Sequence, residues 1–99
     1  MREITRHYDI VGNMTPNRLA NLLKGREGFD FVCSYRGIIV YSCKGVALNI
    51  NTTKGREGKP IILDASGEKS LDNVVSYLQE NIRSVVPHVK LRPVEAVRQ

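Results

Sequence analysis

Leu71, Val74, Val75, Leu78, Ile82 and Val85 recur at the three- and four-residue steps that line up side chains along one stripe of an α-helix. Ser70 stands where a hydroxyl can cap the first free amides, and Pro87 cannot continue the ladder. The spacing therefore predicts a helix within residues 70–86. A helix with a single apolar stripe is stable only when another layer covers that stripe. A chain of 99 residues builds about one hydrophobic core. The remaining segments must supply the layer on which this helix lies.

They do so as strands. In residues 4–11, Ile4, Tyr8 and Ile10 fall on one face and Thr5, His7 and Asp9 on the other, the period of a half-buried strand. Thr15-Pro16 opens a short helix over about 16–24: Thr15 can cap, Pro16 at the first position loses no needed amide, and Met14 can staple Leu19. Leu19, Leu22 and Leu23 form its stripe and Gly25 its stop. Phe29, Phe31, Cys33 and Tyr35 share a face of the next strand. Arg36-Gly37 turns the chain, and residues 38–43 return. Residues 46–51 read as a short helix or another strand, and 60–65, with Ile61-Ile62-Leu63, as a buried strand. These elements predict an α+β fold, an open-faced β-sandwich in which a four-stranded antiparallel sheet carries helices on one face.

Charge and cysteine usage narrow the functional classes. Charged residues are 25% of the chain and hydrophobic ones 41%, as in an ordinary folded domain, and the net charge is +5. That charge admits an anionic partner such as nucleic acid, a membrane surface, a phosphorylated ligand or an acidic protein. No apolar run approaches the roughly 20 residues of a membrane span, and the first residues lack the apolar stretch of a secretory signal. The expectation is a cytoplasmic protein. With a two-residue hairpin loop, Tyr35 faces Ile38 and Cys33 faces Val40. Cys43 would sit opposite Asp30, out of register for a disulfide, so both cysteines are expected reduced.

Candidate chemistry is sparse. His7 and His88 are far apart in sequence and, with two thiols, lack metal-ligand spacing. His7 is expected on the polar strand face and His88 beside the last helix. Cys33 reads as a core side chain with no histidine nearby to activate it. Asp64, Glu68 and Asp72 suit the start of a helix. Lys24-Gly25-Arg26-Glu27-Gly28 recurs as Lys54-Gly55-Arg56-Glu57-Gly58, which reads as turn chemistry used twice or as two basic loops around an anion. No catalytic, cofactor or metal constellation assembles, and the expectation is a protein without enzymatic activity.

Three segments resemble the histidine-containing phosphocarrier family of the sugar phosphotransferase system: Asn13-Met14-Thr15-Pro16-Asn17-Arg18-Leu19-Ala20, Gly28-Phe29, and Ile62-Leu63-Asp64-Ala65-Ser66-Gly67-Glu68. The resemblance implies the order βαββαβα over residues 1–87, with 88–99 left as a basic tail. It places Thr15 where the family has its phosphoryl-accepting histidine. What remains is a helix N-terminus suited to anions, without the nucleophile. The resemblance further implies a non-catalytic regulatory module docking a protein partner through Met14, Thr15, Asn17, Arg18 and Leu19, joined by Gly45, Val46 and Leu48. It makes Ser42 a candidate for regulatory phosphorylation, beside its plainer reading as a strand-end serine. The alternative function is a basic α+β domain binding nucleic acid. A threonine hydroxyl without a neighbouring base is a poor nucleophile. Incubation with phosphoenolpyruvate and the general phosphotransferase enzyme should leave the intact mass unchanged; acid-labile label on His7 or His88 would contradict this.

Overall fold

The computed structural model describes residues 3–53, 61–66 and 68–94, and of residues 3, 62–66 and 68 the backbone alone. In chain order the elements are β1 (Glu3–Val11), α1 (Pro16–Leu23), β2 (Asp30–Tyr35), β3 (Ile38–Cys43), β4 (Val46–Asn51), β5 (Ile61–Ser66), α2 (Glu68–Arg83) and β6 (Lys90–Val94). The strands form one antiparallel sheet in the order β2-β3-β4-β5-β1-β6. The fold is α+β. The sheet has six strands rather than the expected four, and the order is βαββββαβ rather than βαββαβα.

The first added strand is β4. Lys44 and Gly45 both have positive φ, 51° and 80°. That pair makes a tight hairpin turn whose twist suits two antiparallel strands. Beyond it Val46, Leu48 and Ile50 are fully buried while Ala47, Asn49 and Asn51 are half-buried, an alternation of period two. A helix would scatter those three side chains around its surface, whereas a strand sets them on one face. The second helix implied by the phosphocarrier resemblance is thus absent at this position. Both helices pack over β4, so both lie on the Val46-Leu48-Ile50 face.

The second added strand is β6, where a tail was expected. It pairs with β1, placing Leu91 opposite Ile10 and Arg92 opposite Asp9, and Arg92 bonds the Asp9 carboxylate at 2.6 Å. The side-chain amide of Gln79 on α2 clips this edge, donating to the Val89 carbonyl at 2.8 Å and accepting from the Leu91 amide at 2.9 Å.

The first helix follows its sequence signals closely, whereas α2 begins at Glu68, so Ser70 lies inside its first turn rather than at the cap, and it ends at Arg83, short of Pro87. The Thr15 hydroxyl accepts from the Arg18 amide at 3.1 Å, and Met14 and Leu19 are both buried as a staple requires. Leu19 and Leu23 carry the core contacts of α1, while Leu22 is half-buried against their flank. On α2, Leu71, Val74, Leu78 and Ile82 are fully buried, whereas Val85 lies past the last turn and is exposed. The Arg6 guanidinium crosses from β1 to Asp72 on α2 at 2.7 Å.

One irregularity shapes everything at the β2 edge. The β2–β3 register shifts between Phe31 and Cys33. Phe31 stays opposite Tyr41 on the helix side, but Cys33 and Tyr35 pair with Val40 and Ile38 and pass to the other face. Asp30 consequently meets Ser42, and Cys43 meets Val46, not Asp30. The expected common face for Phe29, Phe31, Cys33 and Tyr35 is broken by this bulge.

Truncating a buried leucine removes its transfer energy and leaves a cavity. Leu23→Ala and Leu78→Ala should each cost about 2–5 kcal/mol in urea unfolding, Leu22→Ala clearly less, and Lys90→Ala no more than about 0.5 kcal/mol.

Candidate functional site

The apolar members of the docking surface expected from sequence are core residues. Met14 retains 7% of its surface, and Leu19, Val46 and Leu48 none. Thr15, Asn17 and Arg18 are exposed at the start of α1, with the Thr15 hydroxyl used as a cap. Gly45 lies in the β3–β4 turn. Ser42 is half-buried in β3 between Asp30 and Ala47, within the sheet and before no helix.

The exposed apolar surface lies elsewhere, on the β2–β3 hairpin. Phe31, Val32 and Tyr35 expose 61%, 56% and 67% of their surface, and Ile38 joins them at the turn. Beside them a groove of about 510 Å³ opens between the end of α1 and the hairpin, with Phe29, Phe31, Ile39 and Tyr41 as its apolar walls and Ala20, Asn21 and Lys24 along the helix. The signal available in the sequence was Phe-Val beside Tyr on a segment short enough to be an edge strand. The parity change at the bulge hid which of them would be exposed.

The groove is rigidly built. The Tyr41 hydroxyl donates to the Ala20 carbonyl at 2.8 Å, fixing the floor strand to α1. Phe31 meets the Tyr41 ring edge-on at a centroid distance of 6.0 Å. At the rear, Phe29 stacks on Tyr77 at 5.3 Å, and the Tyr77 hydroxyl donates to the Glu27 carbonyl at 2.7 Å. Gly28 is required there: its φ is +92°, and an added Cβ would lie 2.9 Å from the Tyr77 ring. Arg26 reaches Asn81 and Ser84 on α2, both at 3.3 Å. The first Lys-Gly-Arg-Glu-Gly copy is therefore a brace between α1, β2 and α2; the second lies outside the described residues.

Electrostatically, Lys24 is the charged member of the lining, and no carboxylate lines the groove among the described residues. Arg36 at the hairpin tip lies over the Tyr35 ring, 5.3 Å from its centroid, and Lys44 lies over Tyr77 at 4.7 Å. Burial raises the pKa of the Tyr41 hydroxyl and of the Cys43 thiol.

Other candidate chemistry stays dispersed. Cys33 is exposed rather than core, and Cys43 is buried; both are free thiols. His7 is half-buried in β1, opposite Ile62 and Val94, and its Nδ1 is buried without a hydrogen-bond partner. His88 is exposed in the turn before β6. Among the described residues no group of three or more histidine, cysteine, aspartate or glutamate side chains could hold a metal ion, and no helix is long and apolar enough to cross a membrane. Comparison with protein-family models, with curated proteins and with solved structures finds no match.

The two thiols differ in environment, so a disulfide reagent should modify Cys33 at once and Cys43 only at the rate of unfolding. Burial also predicts a pH dependence. Because Cys43 and Tyr41 bind their protons more tightly when folded, their contribution is complete below the unfolded values, about 8.5 and 10. It is lost as pH rises through the raised folded values. The melting temperature should thus fall progressively above about pH 9, and Tyr41→Phe should flatten the upper part of that fall.

Proposed function

We propose that this chain is a non-catalytic binding module that docks a protein partner on the β2–β3 hairpin and the groove between it and α1. The observation that carries the reading is an aromatic-walled groove beside Phe31, an aromatic side chain left more than half exposed. Exposed apolar patches rimmed by polar groups mark interaction sites, and aromatic anchors in small pockets dominate protein interfaces. The docking surface sits toward the end of α1 and the hairpin, shifted from the helix N-terminus that the phosphocarrier resemblance implied. A regulatory role in a phosphotransferase-type system, and a cytoplasmic setting, belong to the same reading as its setting.

The rival reading, a nucleic-acid-binding domain, draws on the charge of +5. A backbone-tracking site needs basic side chains along one path. Here the described cations are dispersed: Arg18 on α1 and Lys24 at its C-cap, Arg36 at the hairpin tip, Lys44 in the β3–β4 turn, Lys69 and Arg83 on α2, and Lys90 and Arg92 on β6 at the opposite end of the sheet, while Arg6 is paired with Asp72, Arg92 with Asp9, and Arg26 bonds Asn81 and Ser84.

Phe31 is a surface anchor that meets the core edge-on at the Tyr41 ring. In capture from native extract, wild-type protein and Lys90→Ala should retain the same partner, while Phe31→Asp, melting with the parent, should lose it by about tenfold or more. Binding of random-sequence duplex or single strands at low salt, falling steeply as salt rises and indifferent to Phe31→Asp, would instead establish the nucleic-acid reading.

A further inference from the structure

The two edges of the sheet are finished differently. On β6 the chain places Lys90, Arg92 and Pro93, and the Gln79 amide occupies the Val89 carbonyl and the Leu91 amide. Charge, proline and a covering side chain are the devices by which edge strands resist pairing with another chain. β2 has neither lysine nor proline, and its one charge is Asp30 at the start of the strand. Its residues Asp30–Tyr35 are all exposed, among the described residues it pairs only with β3, and it carries Phe31, Val32 and Tyr35 in place of lysine or proline. Its one irregularity is the bulge between Phe31 and Cys33.

We propose that β2 receives an extended acidic peptide as an added strand, with an apolar side chain of the peptide seated in the groove beside Phe31 and a carboxylate at Lys24. The proposal rests on the docking reading above and specifies its partner. An added strand alternates its side chains between the two sheet faces, so every second residue of the peptide points toward α1. On that face the groove offers Phe31, Ile39 and Tyr41 to an apolar side chain and Lys24 to an anionic one. No ion pair engages Lys24 among the described residues, and Asp30, the carboxylate of β2, is paired with Ser42 on the opposite face.

A second copy of this chain is the poorer occupant. Antiparallel self-pairing about Cys33 would set Phe31 opposite Tyr35 of the other copy, and the bulge has put these residues on opposite faces. Two copies also bring together like charges of +5 each. An acidic strand meets neither obstacle.

The test uses the full chain as bait for a phage-displayed library of random short peptides. The selected sequences should carry an aromatic or large aliphatic residue and an aspartate or glutamate two residues apart. Binding should fall about tenfold or more with Phe31→Asp, and selection on Lys24→Glu should return basic peptides instead. N-methylation along a selected peptide should abolish binding at alternate amides and spare those between. Peptides that need Phe31 but tolerate N-methylation throughout would overturn strand addition and leave groove docking standing. Peptides indifferent to Phe31→Asp would overturn both. A stable dimer in sedimentation, dissociated by Phe31→Asp, would assign the edge to a second copy and overturn the proposal.

Discussion

The row Val46-Leu48-Ile50 on β4 is the surface on which the rest of the structure depends. All three side chains are fully buried, and both helices pack over that strand while β3 and β5 flank it. At about 25 cal/mol per Å² of apolar area, complete burial of such a side chain is worth about 1.5–3 kcal/mol. Truncating one would also open a cavity shared by two helices. The placement explains why two short amphipathic helices suffice. Neither α1, with Leu19 and Leu23, nor α2, with Leu71, Val74, Leu78 and Ile82, could bury its stripe on the other alone. Each needs the common strand beneath it.

With that row fixed, the connections acquire their meaning. The chain must pass from the end of α1 to the far edge of the sheet, since β2 lies beyond β3 from β4. The Lys24-Gly25-Arg26-Glu27-Gly28 segment makes the crossing and is held by α2 through Arg26 and Tyr77. Tyr77 binds the loop by a hydrogen bond, by stacking on Phe29, and by a close fit that only a glycine at 28 permits. The hairpin is consequently anchored at its base while its outer strand is exposed along its length. A rigid root with an exposed apolar strand is a suitable arrangement for an interaction surface, because little order must be imposed when a partner binds.

What the sequence made legible follows from which signals are local. The α2 stripe from Leu71 to Ile82, the Thr15 cap, the alternation of β1 and the Arg36-Gly37 turn are short-range patterns, and each appears where its residues predict it. The pairing of Cys33 with Val40 and Tyr35 with Ile38 follows from the turn alone. Three features were hidden, each for a different reason. The bulge at Phe31 carries no glycine to announce it, yet it reverses which face every later residue of β2 occupies. Strand β6 contains Pro93, which argues against a strand except at an edge, and only the pairing with β1 makes it one. The segment Val46–Asn51 alternates plainly as Val-Ala-Leu-Asn-Ile-Asn, but the phosphocarrier resemblance implied a helix there, and with it a docking patch whose apolar members, Met14, Leu19, Val46 and Leu48, are buried in the core.

That last displacement bears on how such a site can be found from sequence at all. Met14, Leu19, Val46 and Leu48 are apolar, and so are Phe31, Val32 and Tyr35; composition cannot divide core from surface. What divides them is strand position. A central strand buries the row beneath the helices, whereas the edge strand has, among the described residues, a neighbour on one side only, and the helix over it, α1, ends at Leu23. The groove exists because α1 is short: it stops alongside Tyr41 and leaves Phe31 and Ile39 partly uncovered. A longer α1 would close the groove and complete the core at the cost of the exposed aromatic surface. Length of one helix, set by Gly25 with its φ of +80° just past the C-cap, thus decides whether this end of the sheet is interior or interface.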